Sequence, residues 1–179
     1  MNTWIALFRG INVGGNNILP MKELKAVMEQ ADFENVRTYI QSGNVVFESK
    51  LKSAKRLGTI LEQLVAEKFG FEPRVIVLTS PQIDSAIHAN PFAASTSEFK
   101  TVHFFFLNKK PAVAKLADCE AIASPTEEFD LVGNVFYLYA PDGMARSKLG
   151  AKAEQLLAVS ATARNLRTVL KIQELMDQA

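Results

Sequence analysis

The residues best suited to chemistry in this chain are glycines, asparagines and an arginine, not acids, bases or nucleophiles. The run Arg9-Gly10-Ile11-Asn12-Val13-Gly14-Gly15-Asn16-Asn17 places three glycines where the backbone can turn freely and expose its N–H groups. Pro20 then opens a predicted helix, whose N-terminal end adds positive potential, and the combination suits a phosphate or a carboxylate. Arg9 would supply a charge-assisted fork, and Asn12 and Asn16 neutral hydrogen bonds. A second polar stretch, Gln41-Ser42-Gly43-Asn44, adds Ser42 and Asn44. The loop matches neither the GxxxxGK[ST] phosphate loop nor the GxGxxG dinucleotide fingerprint. Two readings therefore stand side by side: a site for an anionic small ligand using Arg9, Asn12, Gly14, Gly15, Asn16, Ser42 and Asn44, or a tight connection that needs glycine for its backbone angles.

A second polar group lies near the C-terminus. From Gly143 to Lys171, Arg146, Lys148, Lys152, Arg164, Arg167 and Lys171 face the single acid Glu154, leaving a local charge of +5. Ser147 and Thr162 are expected as helix N-caps, and with Lys148, Arg164 and Asn165 they form a second candidate anion-binding lobe. The alternative is capping plus solvated surface charge. If the two halves of the chain bring these segments together, they make one site.

No catalytic group is assigned. The motifs contain no Asp, Glu, His or Cys. His88 and His103 fall outside any metal-binding spacing, so neither a metal nor a cofactor is expected. Cys119 sits between Asp118 and Glu120, whose negative fields disfavour a thiolate. Lys148 would activate Ser147 only if burial lowered its pKa.

The elements that must position these groups follow from periodicity. Thr3 to Arg9 reads as a strand. A helix opened by Pro20 follows, with Met21, Leu24, Val27 and Met28 on one face. Val36 to Ile40 and Val45 to Glu48 form a hairpin, Leu51 to Phe69 a helix, and Arg74 to Leu78 a strand. The order β-α-β-β-α-β is ferredoxin-like. In such a sheet the first two strands run parallel with the third between them, so the glycine-rich loop and the Gln41–Asn44 turn share one edge.

The second half repeats the order: a strand at Thr101 to Leu107, a helix opened by Pro111 near Ala112 to Leu116, and a second hairpin. There Gly133-Asn134-Val135 echoes Gly43-Asn44-Val45 at a spacing of ninety residues. A helix from Ser147 to Val159 follows, and Ser160 to Asn165 is read as a connection into a terminal helix, with no last strand. The expected fold class is thus α+β: a ferredoxin-like βαββαβ unit over residues 1–90, then an incomplete ferredoxin-like βαββα unit over residues 91–179 with a C-terminal helix. The subdomain boundary is placed in the Pro-, Ser- and Thr-rich stretch Asn90 to Lys100.

Composition narrows the function classes. The chain has 179 residues, 48% of them hydrophobic, enough to bury a core, and its net charge of +1 offers no general attraction to nucleic acid or membrane. A lone cysteine and the lack of a charged-then-apolar leader lead to the expectation of a cytoplasmic protein, and no apolar run approaches the ~20 residues that span a bilayer. RNA binding is the runner-up class, because RNA-recognition modules share this element order. However, Gly43 to Phe47 lacks their basic and aromatic signature, leaving only Trp4, Phe8 and Tyr39 to stack on bases. Sequence-specific nucleic-acid binding is therefore not expected. A non-catalytic interaction or dimer module is the third class.

RGINVGGNN at Arg9 to Asn17, TYIQSGNVVF at Thr38 to Phe47, SKLG at Ser147 to Gly150 and ATARN at Ala161 to Asn165 together resemble the bacterial family called domain of unknown function 1697. Thr168 and Lys171 also fit the family pattern, while Leu166 and Arg167 stand where an aromatic and a polar residue are expected. The resemblance implies a fold and a set of motif positions; it implies no activity.

Overall fold

The computed structural model describes residues 1–93, 98–112 and 115–178. Two compact units emerge, Met1–Ser85 with Leu170–Ala179, and Ala86–Val169. The division differs from a single cut near residue 90, because the last ten residues group with the first unit. Both units are α+β, with two four-stranded antiparallel sheets and six α-helices among the described residues.

In the first unit, β1 (Asn2–Arg9) is followed by α1 (Met21–Gln30), β2 (Glu34–Tyr39), β3 (Asn44–Ser49), α2 (Ala54–Phe69), β4 (Arg74–Thr79) and α3 (Ser80–His88), whose residues from Ala86 group with the second unit. The sheet order is β2-β3-β1-β4. β1 is central because Trp4 to Phe8 is apolar on both faces. Trp4, Ala6 and Phe8 pack with Leu24 and Met28 of α1 and with Leu57, Leu61 and Val65 of α2, while Ile5 and Leu7 on the opposite face are also fully buried. Trp4 and Phe8 are therefore core residues, not a surface on which bases stack. Ser53 caps α2 by accepting from the Arg56 N–H, and Gly70 ends it in the left-handed conformation.

Helix α3 was absent from the periodicity reading. Its signal is Thr79-x-x-Gln82, which forms half of a capping box: the Gln82 Oε1 accepts from the Thr79 backbone N–H at 2.8 Å and from the Thr79 hydroxyl at 3.1 Å.

The second unit holds β5 (Val102–Leu107), α4 (Lys115–Glu120), β6 (Glu128–Val132), β7 (Val135–Tyr139), α5 (Lys148–Leu157) and β8 (Ala161–Asn165), followed by α6 (Leu166–Asp177), whose residues from Leu170 group with the first unit; its strands form a sheet of order β6-β7-β5-β8. Part of the helix expected near Ala112 to Leu116, and part of the stretch Asn90 to Lys100, lie outside the described residues. The expectation of an incomplete unit is corrected. Ser160 to Asn165 is not merely a connection, since Ala161 to Asn165 is a strand paired to β5 from Leu107↔Ala161 to His103↔Asn165. Its composition hides it, because only Thr162 is a strong strand former. The two alanines are small because Ala161 and Ala163 lie against the packed cluster of Phe105, Leu107, Leu149, Ala153 and Leu157.

His103 on β5 is 8% exposed, and its Nδ1 is buried without a hydrogen-bond partner. Burial lowers its pKa below 6.5, outweighing the contact with the Thr101 backbone, which raises it. The unfolded chain therefore takes up a proton at a pH where the folded chain does not, and stability is lost as pH falls below about 6.5. His103→Gln is expected to flatten the pH dependence of urea unfolding between about pH 6.5 and 5, where one such proton contributes at most about 1.4 kcal/mol per pH unit. An unchanged slope would show that His103 does not set it.

Candidate functional site

The glycine-rich loop is itself a small β-ribbon. The Asn16 N–H donates to the Val13 carbonyl at 3.0 Å, and the Asn12 N–H to the Asn17 carbonyl at 3.1 Å. Between them Gly14 and Gly15 have φ of +58° and +79°, as in a type I′ turn, whose handedness matches the twist of its two arms. Neither glycine N–H donates to another group among the described residues. The ribbon is closed at its base by side chains: Asn17 Nδ2 donates to the Gly10 carbonyl at 2.8 Å. Asn12 does more. Its Nδ2 donates to the Leu19 carbonyl at 2.9 Å and to the Gln41 carbonyl at 2.8 Å, and its Oδ1 accepts from the Leu19 N–H at 2.8 Å.

These bonds join the ribbon to the β2–β3 turn, so the two motifs do share an edge of the first sheet. The Phe8 N–H donates to the Gly43 carbonyl at 2.8 Å. At Gly43, with φ +76°, an added Cβ would stand 2.6 Å from both the Phe8 Cβ and the Ile11 Cδ1. Glycine is thus demanded by close approach as well as by angle. Asn44 is buried and donates through Nδ2 to the Tyr39 carbonyl at 3.0 Å and to the Ser42 Oγ at 2.9 Å. Asn12, Ser42, Gly43 and Asn44 consequently build the edge, whereas Gly14, Gly15 and the exposed Asn16 are presented by it.

Arg9, the last residue of β1, lies directly opposite Arg74, the first of β4. Two cationic residues at paired positions repel, with Cβ atoms typically ~5 Å apart. Arg9 and Arg74 therefore bring two cationic residues to neighbouring positions at the root of the ribbon. Helix α1 contributes less than the sequence suggests. It begins only at Met21, after Pro20 and with no side-chain cap, so Ile18 to Pro20 separate its N-terminus from the ribbon.

The C-terminal candidates lie in the second unit. Ser147 caps α5, its Oγ accepting from the Gly150 N–H at 2.8 Å, and Lys148 is exposed in the first turn. Thr162 is not a helix cap. It is 2% exposed within β8, opposite Phe106, and the cap of α6 is instead Asn165, whose Oδ1 accepts from the Thr168 N–H at 2.9 Å. Arg164 shares a face of β8 with Thr162 and donates through Nη1 to the Ala163 carbonyl at 2.8 Å. Burial pushes its pKa down to about 10, which leaves it cationic at neutral pH. Cys119 is buried, and its thiol pKa is raised first by that burial and then by Asp118 and Glu120. Among the described residues no three His, Cys, Asp or Glu side chains gather into a metal-binding group.

Sequence reasoning missed Asn17, Arg74 and the carbonyl of Gln41. Asn17 belonged to the motif, but Arg74 enters only through strand register and the Gln41 carbonyl only through its bond from the Asn12 side chain. The fold and site together define an α+β protein with a polar loop–turn edge at the first sheet. Residues 1–137 match the family described as "Protein of unknown function (DUF1697)", and the chain belongs to that family. No curated protein matches it. Among solved structures, it is similar to that of the conserved bacterial protein SP0830 from Streptococcus pneumoniae, at 24% identity over 98% of each chain and a TM-score of 0.75, which supports the fold. No helix among the described residues is long and apolar enough to cross a membrane.

Asn12→Ala removes three hydrogen bonds and places alanine at φ +53°. It should destabilise the chain by about 2–4 kcal/mol in urea unfolding. Asn12→Asp should not rescue it, because a carboxylate cannot donate to two carbonyls. Gly15→Ala, where nothing lies within 4 Å of the new Cβ, should cost only the left-handed penalty of about 1–2 kcal/mol. Equal losses at residues 12 and 15 would contradict this division between residues that build the edge and residues it presents.

Proposed function

We propose that the loop–turn edge of the first unit binds a small anionic ligand bearing a phosphate or carboxylate, in a cytoplasmic protein built of two ferredoxin-like units. The observation that carries the proposal is the Gly14–Gly15 turn, two adjacent uncommitted amides without side chains, on a ribbon held rigid from below. Rigidity matters because an anion bound by backbone amides repays no ordering cost when they are already in place. Arg9 supplies the charge, reinforced by Arg74 across the ladder. For the ferredoxin-like reading, support comes from the same strand order in both sheets. Lys148 and Arg164 belong to the second unit, whose sequence has no two adjacent glycines.

Titration of ¹⁵N-labelled protein with inorganic phosphate, and separately with acetate, each against a chloride-matched control, is the direct test. The Gly14 and Gly15 amide signals should shift saturably. At tenfold excess over Kd the melting temperature should rise by about 3–5 °C, and less in Arg9→Gln. Stationary glycine signals, with or without a response at Lys148, would sink the proposal.

A further inference from the structure

The second sheet ends on β6, which pairs with β7 on one side and with no strand on the other among the described residues. The two strands are joined by Gly133 and Asn134 alone, and their register is unbroken from Val132↔Val135 to Glu128↔Tyr139. In a two-residue hairpin the residues flanking the link exchange backbone hydrogen bonds, and bonded and non-bonded pairs then alternate. Val132, Asp130 and Glu128 therefore turn their backbone groups towards β7, whereas Leu131 and Phe129 turn theirs outward. The Leu131 N–H agrees with this direction, since it donates to the Asp130 Oδ1, at 2.7 Å. The N–H and carbonyl of Phe129 have no partner among the described residues. The other sheet edges are guarded, as edges ordinarily are. β2 has a register shift between Glu34 and Arg37, the Val75 N–H of β4 donates to the Glu62 Oε1 of α2 at 2.9 Å, and β8 begins with two buried residues. β6 has no bulge, no proline and no lysine.

What β6 carries instead is acid. Glu128 and Asp130 are exposed on one face of the strand, while Phe129 and Leu131 pack on the core of the second unit from the other. From Leu116 to Gly143 the chain has six Asp or Glu residues and no Lys, Arg or His. Neither Glu128 nor Asp130 forms an ion pair among the described residues. We infer that β6 is a docking edge for a basic extended segment of a partner protein, which adds as a further antiparallel strand. Its backbone bonds Phe129 and Leu131, and its Lys or Arg side chains at alternate positions pair with Glu128 and Asp130. Those two acids then occupy the non-hydrogen-bonded positions, where facing side chains come closest, with Cα atoms ~4.5 Å apart. A cation there also draws the Asp130 carboxylate off the Leu131 N–H and frees that donor for the new strand. A second copy of this chain fits worse. The register that pairs Phe129 and Leu131 with Leu131 and Phe129 of another β6 sets Asp130 against Asp130, and like charges directly opposite are destabilising. The acids thereby select a partner of opposite charge. This edge lies in the second unit and does not depend on anion binding in the first.

The probe is a short, end-capped peptide alternating lysine and valine, titrated into ¹⁵N-labelled protein at low ionic strength. The Phe129 and Leu131 amide signals should shift saturably and exchange with solvent more slowly. The same peptide with glutamate in place of lysine should leave them unmoved. Glu128→Gln combined with Asp130→Asn should weaken binding about three- to tenfold, as expected for two opposite-charge cross-strand pairs, and its melting temperature serves as the check that the fold is retained. A lysine and valine peptide N-methylated at the amides that face β6 keeps its charge but cannot donate to the strand, and it should lose nearly all binding. If it binds as well as its parent, β6 is only an acidic surface and the inference fails. The inference also fails if no lysine peptide moves the two signals. A shift of both signals with protein concentration alone would overturn it in favour of a second copy as the occupant.

Discussion

The carboxamide of Asn12 is the interaction on which the candidate site depends. It bonds both backbone groups of Leu19 and the carbonyl of Gln41, so a single side chain fastens the end of the ribbon, the approach to α1 and the β2–β3 turn to one another. An amide suits this place because it offers two donors and an acceptor on one rigid plane. Asparagine also tolerates the left-handed backbone found there, φ +53°. Around that joint, the close approach of Gly43 to Phe8 and Ile11 brings the turn down onto β1, and the buried Asn44 satisfies the groups which that approach withdraws from water.

This edge differs physically from the glycine-rich loops that hold nucleotides. In those, the loop leads straight into a helix, and the helix N-terminus faces the phosphate. Here the chain makes a closed two-stranded excursion before α1, and Pro20 stands at the helix start. At this edge Arg9 and Arg74 stand paired across β1 and β4, and Gly14 and Gly15 present their amides. Much of the edge's polar side-chain capacity is spent on shape: Asn12, Asn17 and Asn44 all bond the protein's own backbone.

Both units use the same strand order, each around a central apolar strand. The two Gly-Asn pairs sit at corresponding hairpins, yet they act differently. Gly133 and Asn134 are the whole two-residue link between β6 and β7, and an added Cβ at Gly133 would meet nothing within 4 Å. Gly43 ends a longer turn and is pressed against the core. Identical residues thus serve a free turn in one unit and a close contact in the other.

Local chemistry was enough to read β1, α1, the first hairpin, α2 and β4, because apolar periodicity and turn residues act over a few neighbours. It was also enough to place the loop and the Gln41–Asn44 turn on one edge, since that follows from strand order. Motif residues carried the family. Tertiary structure alone decided the rest. Ala161 to Asn165 became a strand by pairing with β5, an energy that arises between segments distant in sequence. Thr162 was thereby withdrawn from the helix end, and Asn165 took its place as the cap. Asn12, which looked like a ligand group by residue type, became the staple of the edge once Leu19 and Gln41 were brought within reach of its amide. A polar side chain cannot show from sequence alone whether its partner is a ligand or the protein's own backbone, because that depends on which backbone groups folding leaves unpaired beside it.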